Sequence, residues 1–126
     1  MGPANARIMV VEDDTSLRDW IEFELGFDGY KVTQAANGLL ALQELRRGDP
    51  PDLILLDVQM PGMDGYQVSR ELQTWPEYAA VPIIFLTALT GVESEMVGLD
   101  LGVADYITKH FNLEIVKLRI RNTLRL

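Results

Sequence analysis

The chain contains no cysteine. That excludes a disulfide framework and any thiol chemistry, and it fits a reducing cytoplasm. No apolar run approaches the roughly 20 residues of a membrane-spanning helix, and no secretory signal pattern opens the chain. Basic residues are scarce: 11 Lys and Arg stand against 19 Asp and Glu, for a net charge of −8. A domain of that sign does not itself grip a nucleic-acid backbone, which demands a basic surface. An attached output domain is free to do so. Internal repeats, linkers and low-complexity segments are also missing. So is the Gly-x-x-x-x-Gly-Lys phosphate loop. There is one histidine, His110.

What is present suits a single globular domain. The 126 residues are 48% hydrophobic and 24% charged, ordinary values for a chain with its own core. Residues 1–6 read as a flexible leader or an expression remnant, and residues 7–126 as the domain. Strand-like and helix-like stretches alternate throughout. Residues 7–12 are a β-rich run. Residues 14–27 carry Leu17, Trp20, Ile21 and Leu25 at helical spacing. Tyr30 to Ala35 alternates apolar and polar, which predicts an edge strand. Asn37 caps a helix with Leu39, Leu42 and Leu45 on one face, and Gly48-Asp49-Pro50-Pro51 stops it. Residues 52–57 are a continuous apolar strand. Asp64 and Gln67 have capping-box spacing for a helix to about Trp75. Val81 to Leu86 is a fourth strand, Thr90 and Glu93 open a helix ending near Gly102, and Ala104 to Thr108 is a fifth strand. Asn112 caps a last helix through Ile115, Leu118, Ile120 and Leu124. Repeated βα units of this length predict a parallel sheet with helices on both faces.

Two of these strands end in acid. Ile8-Met9-Val10-Val11 runs into Glu12-Asp13-Asp14, and Leu53-Ile54-Leu55-Leu56 ends at Asp57. The C-terminal edge of an open α/β sheet is where ligands bind. If the first and third strands are neighbours, Glu12, Asp13 and Asp57 crowd together, and like charges disfavour joint ionisation. A hard divalent cation relieves this, and Mg²⁺ takes one or two carboxylates plus waters and a phosphate. The plainer reading makes Glu12, Asp13 and Asp14 solvated helix-starting acids that favour the helix dipole. Asp57 at a second strand end weighs against it. Thr87 ends the fourth strand and Lys109 the fifth, so a hydroxyl and an ammonium stand ready to donate to phosphoryl oxygens. Singly, each is an ordinary strand-end residue.

Together, Val10-Val11-Glu12-Asp13-Asp14, Leu56-Asp57 with the turn to Gly65, Leu86-Thr87-Ala88, and Gly102 to Lys109 resemble the receiver domain of two-component response regulators. The resemblance covers residues 7 to 124. It implies a flavodoxin-like (βα)5 three-layer sandwich with a five-stranded parallel sheet in the order 2-1-3-4-5. It implies Asp57 as phosphoacceptor, Asp13 and Asp57 as direct Mg²⁺ ligands, Glu12 acting through metal-bound water, and the Gln59 backbone carbonyl as a further ligand. Mn²⁺ is an acceptable substitute. Thr87 and Lys109 would bind the phosphoryl group, and Tyr106 would be the aromatic switch coupled to Thr87. The implied partners are a histidine kinase or histidine phosphotransfer domain and an output domain or downstream protein, in the cytoplasm. Homodimerisation is left open.

One departure stands out. The family usually follows the lysine with proline in a cis bond, and here the next residue is His110. A non-proline cis bond costs about 3–4 kcal/mol, so a trans bond and a displaced loop are expected. Two rival functions fit less well. An aspartyl-phosphate phosphatase of the haloacid dehalogenase type needs a second Asp two residues after the first, where this chain has Gln59. A degenerate receiver used only as a phosphorylation-independent binding module would normally have lost an acid, the Thr or the Lys, and all are present. The basic last helix, with Lys117, Arg119, Arg121 and Arg125, runs to the end without a stop signal. This favours a receiver cut from a longer regulator or hybrid kinase over a stand-alone one.

Overall fold

The structure, a computed structural model, describes residues 5–87, 105–108 and 112–125. Five strands and four helices lie among them: β1 Arg7–Val11, α1 Thr15–Phe27, β2 Lys31–Ala35, α2 Gly38–Arg47, β3 Leu53–Asp57, α3 Gly65–Gln73, β4 Ile83–Thr87, β5 Asp105–Thr108 and α4 Leu113–Leu124. All strands pair in parallel, in the order β2-β1-β3-β4-β5. The expected helix from Thr90 to Gly102, the fourth in the sequence reading, lies outside the described residues. So do Lys109 and His110, and with them the expected trans bond.

Strand alternation splits the core into two layers. Ile8, Val10, Leu53, Leu55, Ile84, Leu86 and Ile107 face one way and pack under Ile21 and Leu25 of α1 and Val116 and Ile120 of α4. Met9, Val11, Ile54, Leu56, Ile83 and Phe85 face the other way, under Ala41, Leu42 and Leu45 of α2 and Val68 and Leu72 of α3. The central strand β3 is buried along its whole length, whereas the edge strand β2 alternates between exposed and partly buried residues up to its buried end, Ala35. Sheets covered on both faces need such continuous apolar strands.

The helix starts follow the expected chemistry. Asn37 accepts from Leu40 N at 2.8 Å, and Asn112 accepts from Glu114 N at 2.8 Å. Asp64 and Gln67 complete both arms of a capping box, at 2.9 and 2.8 Å. The helix faces differ in part. Trp20 is 45% exposed, Leu39 58%, Ile115 43% and Leu118 42%. Each lies at helical spacing from core residues, but the sheet covers only a narrow stripe of each helix, so residues at the stripe's margin face water. Ahead of β1, Ala6 is already buried, and its carbonyl accepts from Lys31 N at 2.9 Å.

Candidate functional site

The acids meet because of register. Val11 pairs with Leu56 across β1 and β3. The next residues, Glu12 and Asp57, therefore emerge level at the C-terminal edge of the sheet. Glu12, Asp13 and Asp57 each offer a carboxylate oxygen, and these oxygens lie within 4.8 Å of one another. Glu12 and Asp57 are fully buried, while Asp13 is exposed. Burying carboxylates is expensive unless hydrogen bonds or a cation compensate. A cluster of two buried acids and one solvent-facing acid, all oxygen donors, is the donor set a hard divalent cation prefers.

Local structure fixes each member. Glu12 N donates to Ala35 O at 3.1 Å, and the Glu12 carbonyl accepts from Arg18 Nη1 at 2.7 Å. Arg18 is oriented in turn by Gln34 Oε1, which accepts from its Nε at 2.7 Å. Glu12 Oε2 accepts from Asp14 N at 3.1 Å. Asp14 is turned away to cap α1, accepting from Leu17 N at 3.1 Å. The helix-starting role weighed for the whole acid run therefore belongs to Asp14 alone. Asp57 Oδ1 accepts from Gln59 N at 3.2 Å, so the Gln59 backbone lies beside the carboxylate.

The turn after Asp57 is held tightly. Gly62 has φ +79, a left-handed conformation that glycine adopts without steric cost. Gly65 N donates to Val58 O at 2.9 Å. A Cβ at Gly65 would stand 2.4 Å from the Asp57 carbonyl oxygen and 2.9 Å from Val58 Cα. The start of α3 is thus pressed against the backbone of the central acid.

Thr87 closes β4 and pairs with Thr108, but its side chain lies outside the described residues, as does Lys109. Tyr106 is in β5, partly buried against the α2/α3 layer. Its ring meets Phe85 edge-on, with centroids 6.4 Å apart. Sequence reasoning passed over Tyr66, in the first turn of α3. Tyr66 packs edge-on against the same Phe85 at 5.3 Å, and its hydroxyl lies close enough to Tyr106 to feel it. Burial pushes the Tyr66 hydroxyl above its ordinary pKa, and Tyr106 beside it adds to the rise. No sequence spacing relates residues 66 and 106; only the sheet order brings them together.

A family model described as the response regulator receiver domain matches residues 8–121. The chain belongs to that family. The receiver is 42% identical over 119 residues to the response regulator MprA of Mycobacterium leprae, a match that takes in 94% of this chain and 51% of that protein. It is 43% identical over 119 residues to the probable transcriptional regulator ycf27 of Porphyridium aerugineum, with 94% and 48% covered. The chain thus spans about half the length of the curated relatives it matches. Among solved structures, it superposes on the chemotaxis response regulator CheY4 of Vibrio cholerae with a TM-score of 0.88 at 30% identity, covering 94% of this chain and 98% of that one. On the response regulator TrrA of Thermotoga maritima, solved in complex with Mg²⁺-BeF, the TM-score is 0.83 at 32% identity, with 94% and 99% covered. Among the described residues no helix is long and apolar enough to cross a membrane.

Proposed function

We propose that this receiver takes a phosphoryl group onto Asp57 from a histidine kinase or histidine phosphotransfer domain and signals to an output domain or downstream protein. The observation that carries this reading is the placement of Asp57, rigid at the end of a fully buried strand, with Glu12 and Asp13 oxygens within 4.8 Å. In the transfer, an Asp57 carboxylate oxygen attacks the phosphorus, the phosphorus–nitrogen bond to the donor histidine breaks, and an acyl phosphate forms. Asp13, Asp57 and the Gln59 carbonyl would hold Mg²⁺ or Mn²⁺ directly, and Glu12 through water. When bound, the ion supplies neutralisation of phosphoryl oxygens. Thr87 and Lys109 would donate to those oxygens, and Tyr106 would report the change. The chain acts as a signalling phosphoacceptor that assists its own phosphorylation and dephosphorylation, in the cytoplasm. The relatives named as response and transcriptional regulators support an output that acts on transcription.

The test is intact-mass measurement after incubation with Mg²⁺ and acetyl phosphate. One phosphoryl adduct is expected in the wild type and none in Asp57→Asn. An equal adduct on the variant overturns the assignment. A wild type that takes no adduct but still binds its partner returns the phosphorylation-independent binding module.

A further inference from the structure

Tyr106 is held by more than its own strand. Register sets Leu56, Phe85 and Tyr106 side by side on β3, β4 and β5, and alternation sends all three to the α2/α3 side of the sheet. Phe85 is fully buried in that row. Tyr106 meets Phe85 at an interplanar angle of 85°, and Tyr66 meets it at 79°. Both are the edge-to-face arrangements that aromatic quadrupoles favour. The two tyrosines thus share one ring as their support, and their hydroxyls lie close enough to influence each other. Tyr66 has little freedom of its own. It follows Gly65, which is pressed against the Asp57 carbonyl, and it stands inside the capping box of Asp64 and Gln67. It also lines an open hollow of about 440 Å³ formed with Val58, Gln59, Met60, Pro61 and Asp64, beside the acid turn.

We propose that Tyr66 is a positioning residue for Tyr106, clamping it against Phe85 before any phosphoryl group arrives, so that α3 and the turn after Asp57 set how readily β5 signals. The regulatory part rests on reading Asp57 as phosphoacceptor and Tyr106 as the signalling aromatic. A group that stabilises one arrangement of Tyr106 must change the affinity of any ligand that distinguishes its arrangements, and the coupling is reciprocal. Tyr66 thereby links the first turn of α3 to the state of β5 with no contact to the phosphoryl group.

Tyrosine labelled with ¹³C at Cζ resolves the four tyrosines by NMR, and single Tyr→Phe variants assign them. In Tyr66→Phe, which keeps the ring and removes the hydroxyl, the Tyr106 signal should shift. In Tyr106→Phe, the titration midpoint of Tyr66 should fall. An unmoved Tyr106 signal in Tyr66→Phe overturns the clamp. The second measurement is the affinity for beryllofluoride with Mg²⁺, a stand-in for the phosphoryl group. Tyr66→Phe should change it by about 2–10-fold, the range of one neutral polar contact. Wild-type affinity in that variant overturns the regulatory claim. A wild type that does not bind beryllofluoride refutes the Asp57 reading instead, and the tyrosine signals still decide the clamp.

Discussion

At Gly65 a single hydrogen atom stands where any other residue would drive a carbon into the Asp57 carbonyl. The obstacle is backbone and has no rotamer to change, so α3 or the end of β3 must move. Gly65→Ala is expected to cost roughly 2–3 kcal/mol, the upper part of the overpacking range, read from urea denaturation. It should also slow adduct formation by acetyl phosphate, because the displaced atoms belong to Asp57, the proposed acceptor. A variant as stable and as fast as wild type would show that the turn yields freely. Asp13 is the cluster's exposed member, so its removal tests charge with little disturbance of packing. Mg²⁺ should raise the Tm of the wild type by binding the native state. Asp13→Ala should lose most of that increment and, by relieving repulsion, keep or raise the metal-free Tm; an equal Mg²⁺ shift in both proteins refutes the cluster as a cation site. The acids were legible in the sequence because each ends an apolar run. Gly65 was visible as a turn residue, but its close approach to Asp57 was not. Tyr66 left no signal, since its importance comes from Phe85 and Tyr106, far away in the chain.

Elements were legible where backbone chemistry speaks locally, at the caps of Asn37, Asp64 and Asn112. They were less so where neighbours decide what is covered. The helical spacing that drew Trp20, Leu39, Ile115 and Leu118 into core faces could not tell a stripe's centre from its margin. The reverse case is Lys117, which the sequence shows only as one of several basic residues of the last helix. It is buried where α4 meets α1, with Nζ 3.5 Å from Glu24, 3.3 Å from Asp28 and 3.8 Å from Glu114. Burial pulls its pKa down, but Asp28, Glu114 and Glu24 outweigh this and leave it above the ordinary value. The partner carboxylates keep partial contact with water, which screens them. Lys117→Met should therefore cost about 1–2 kcal/mol at neutral pH, between the values for exposed and fully buried pairs. Urea denaturation measures this, and a Lys117→Met protein of unchanged stability would show that the three carboxylates need no counter-charge.

For the molecule as a whole, the alternation of β2 marked an edge and the unbroken apolar run of β3 marked a centre. Hydrophobicity ranks strands by burial but does not order neighbours, so the order 2-1-3-4-5 followed from family resemblance. One global property follows from groups scattered over the fold. Burial raises the hydroxyl pKa of Tyr30, Tyr66 and Tyr78 above 10.0, and the carboxylates around Lys117 raise its pKa above 10.5. In all four the folded value exceeds the unfolded one. Their contribution to stability is therefore fully present below the unfolded value and is lost as pH rises through the folded one. Deprotonating them also adds negative charge to a chain already at −8, which increases self-repulsion. Urea midpoints measured from pH 7 to 11 should hold steady on account of these groups up to about pH 10 and then fall steeply. Tyr78→Phe checks the attribution. The Tyr78 hydroxyl donates to the carbonyls of Leu45 and Gly48, so the variant should be weaker by about 1 kcal/mol at neutral pH. It should lose less than wild type above pH 10, because it has one fewer raised group to titrate. Parallel pH profiles for the two proteins would remove Tyr78 from the account, and a wild-type midpoint that stays level to pH 11 would refute it for all four.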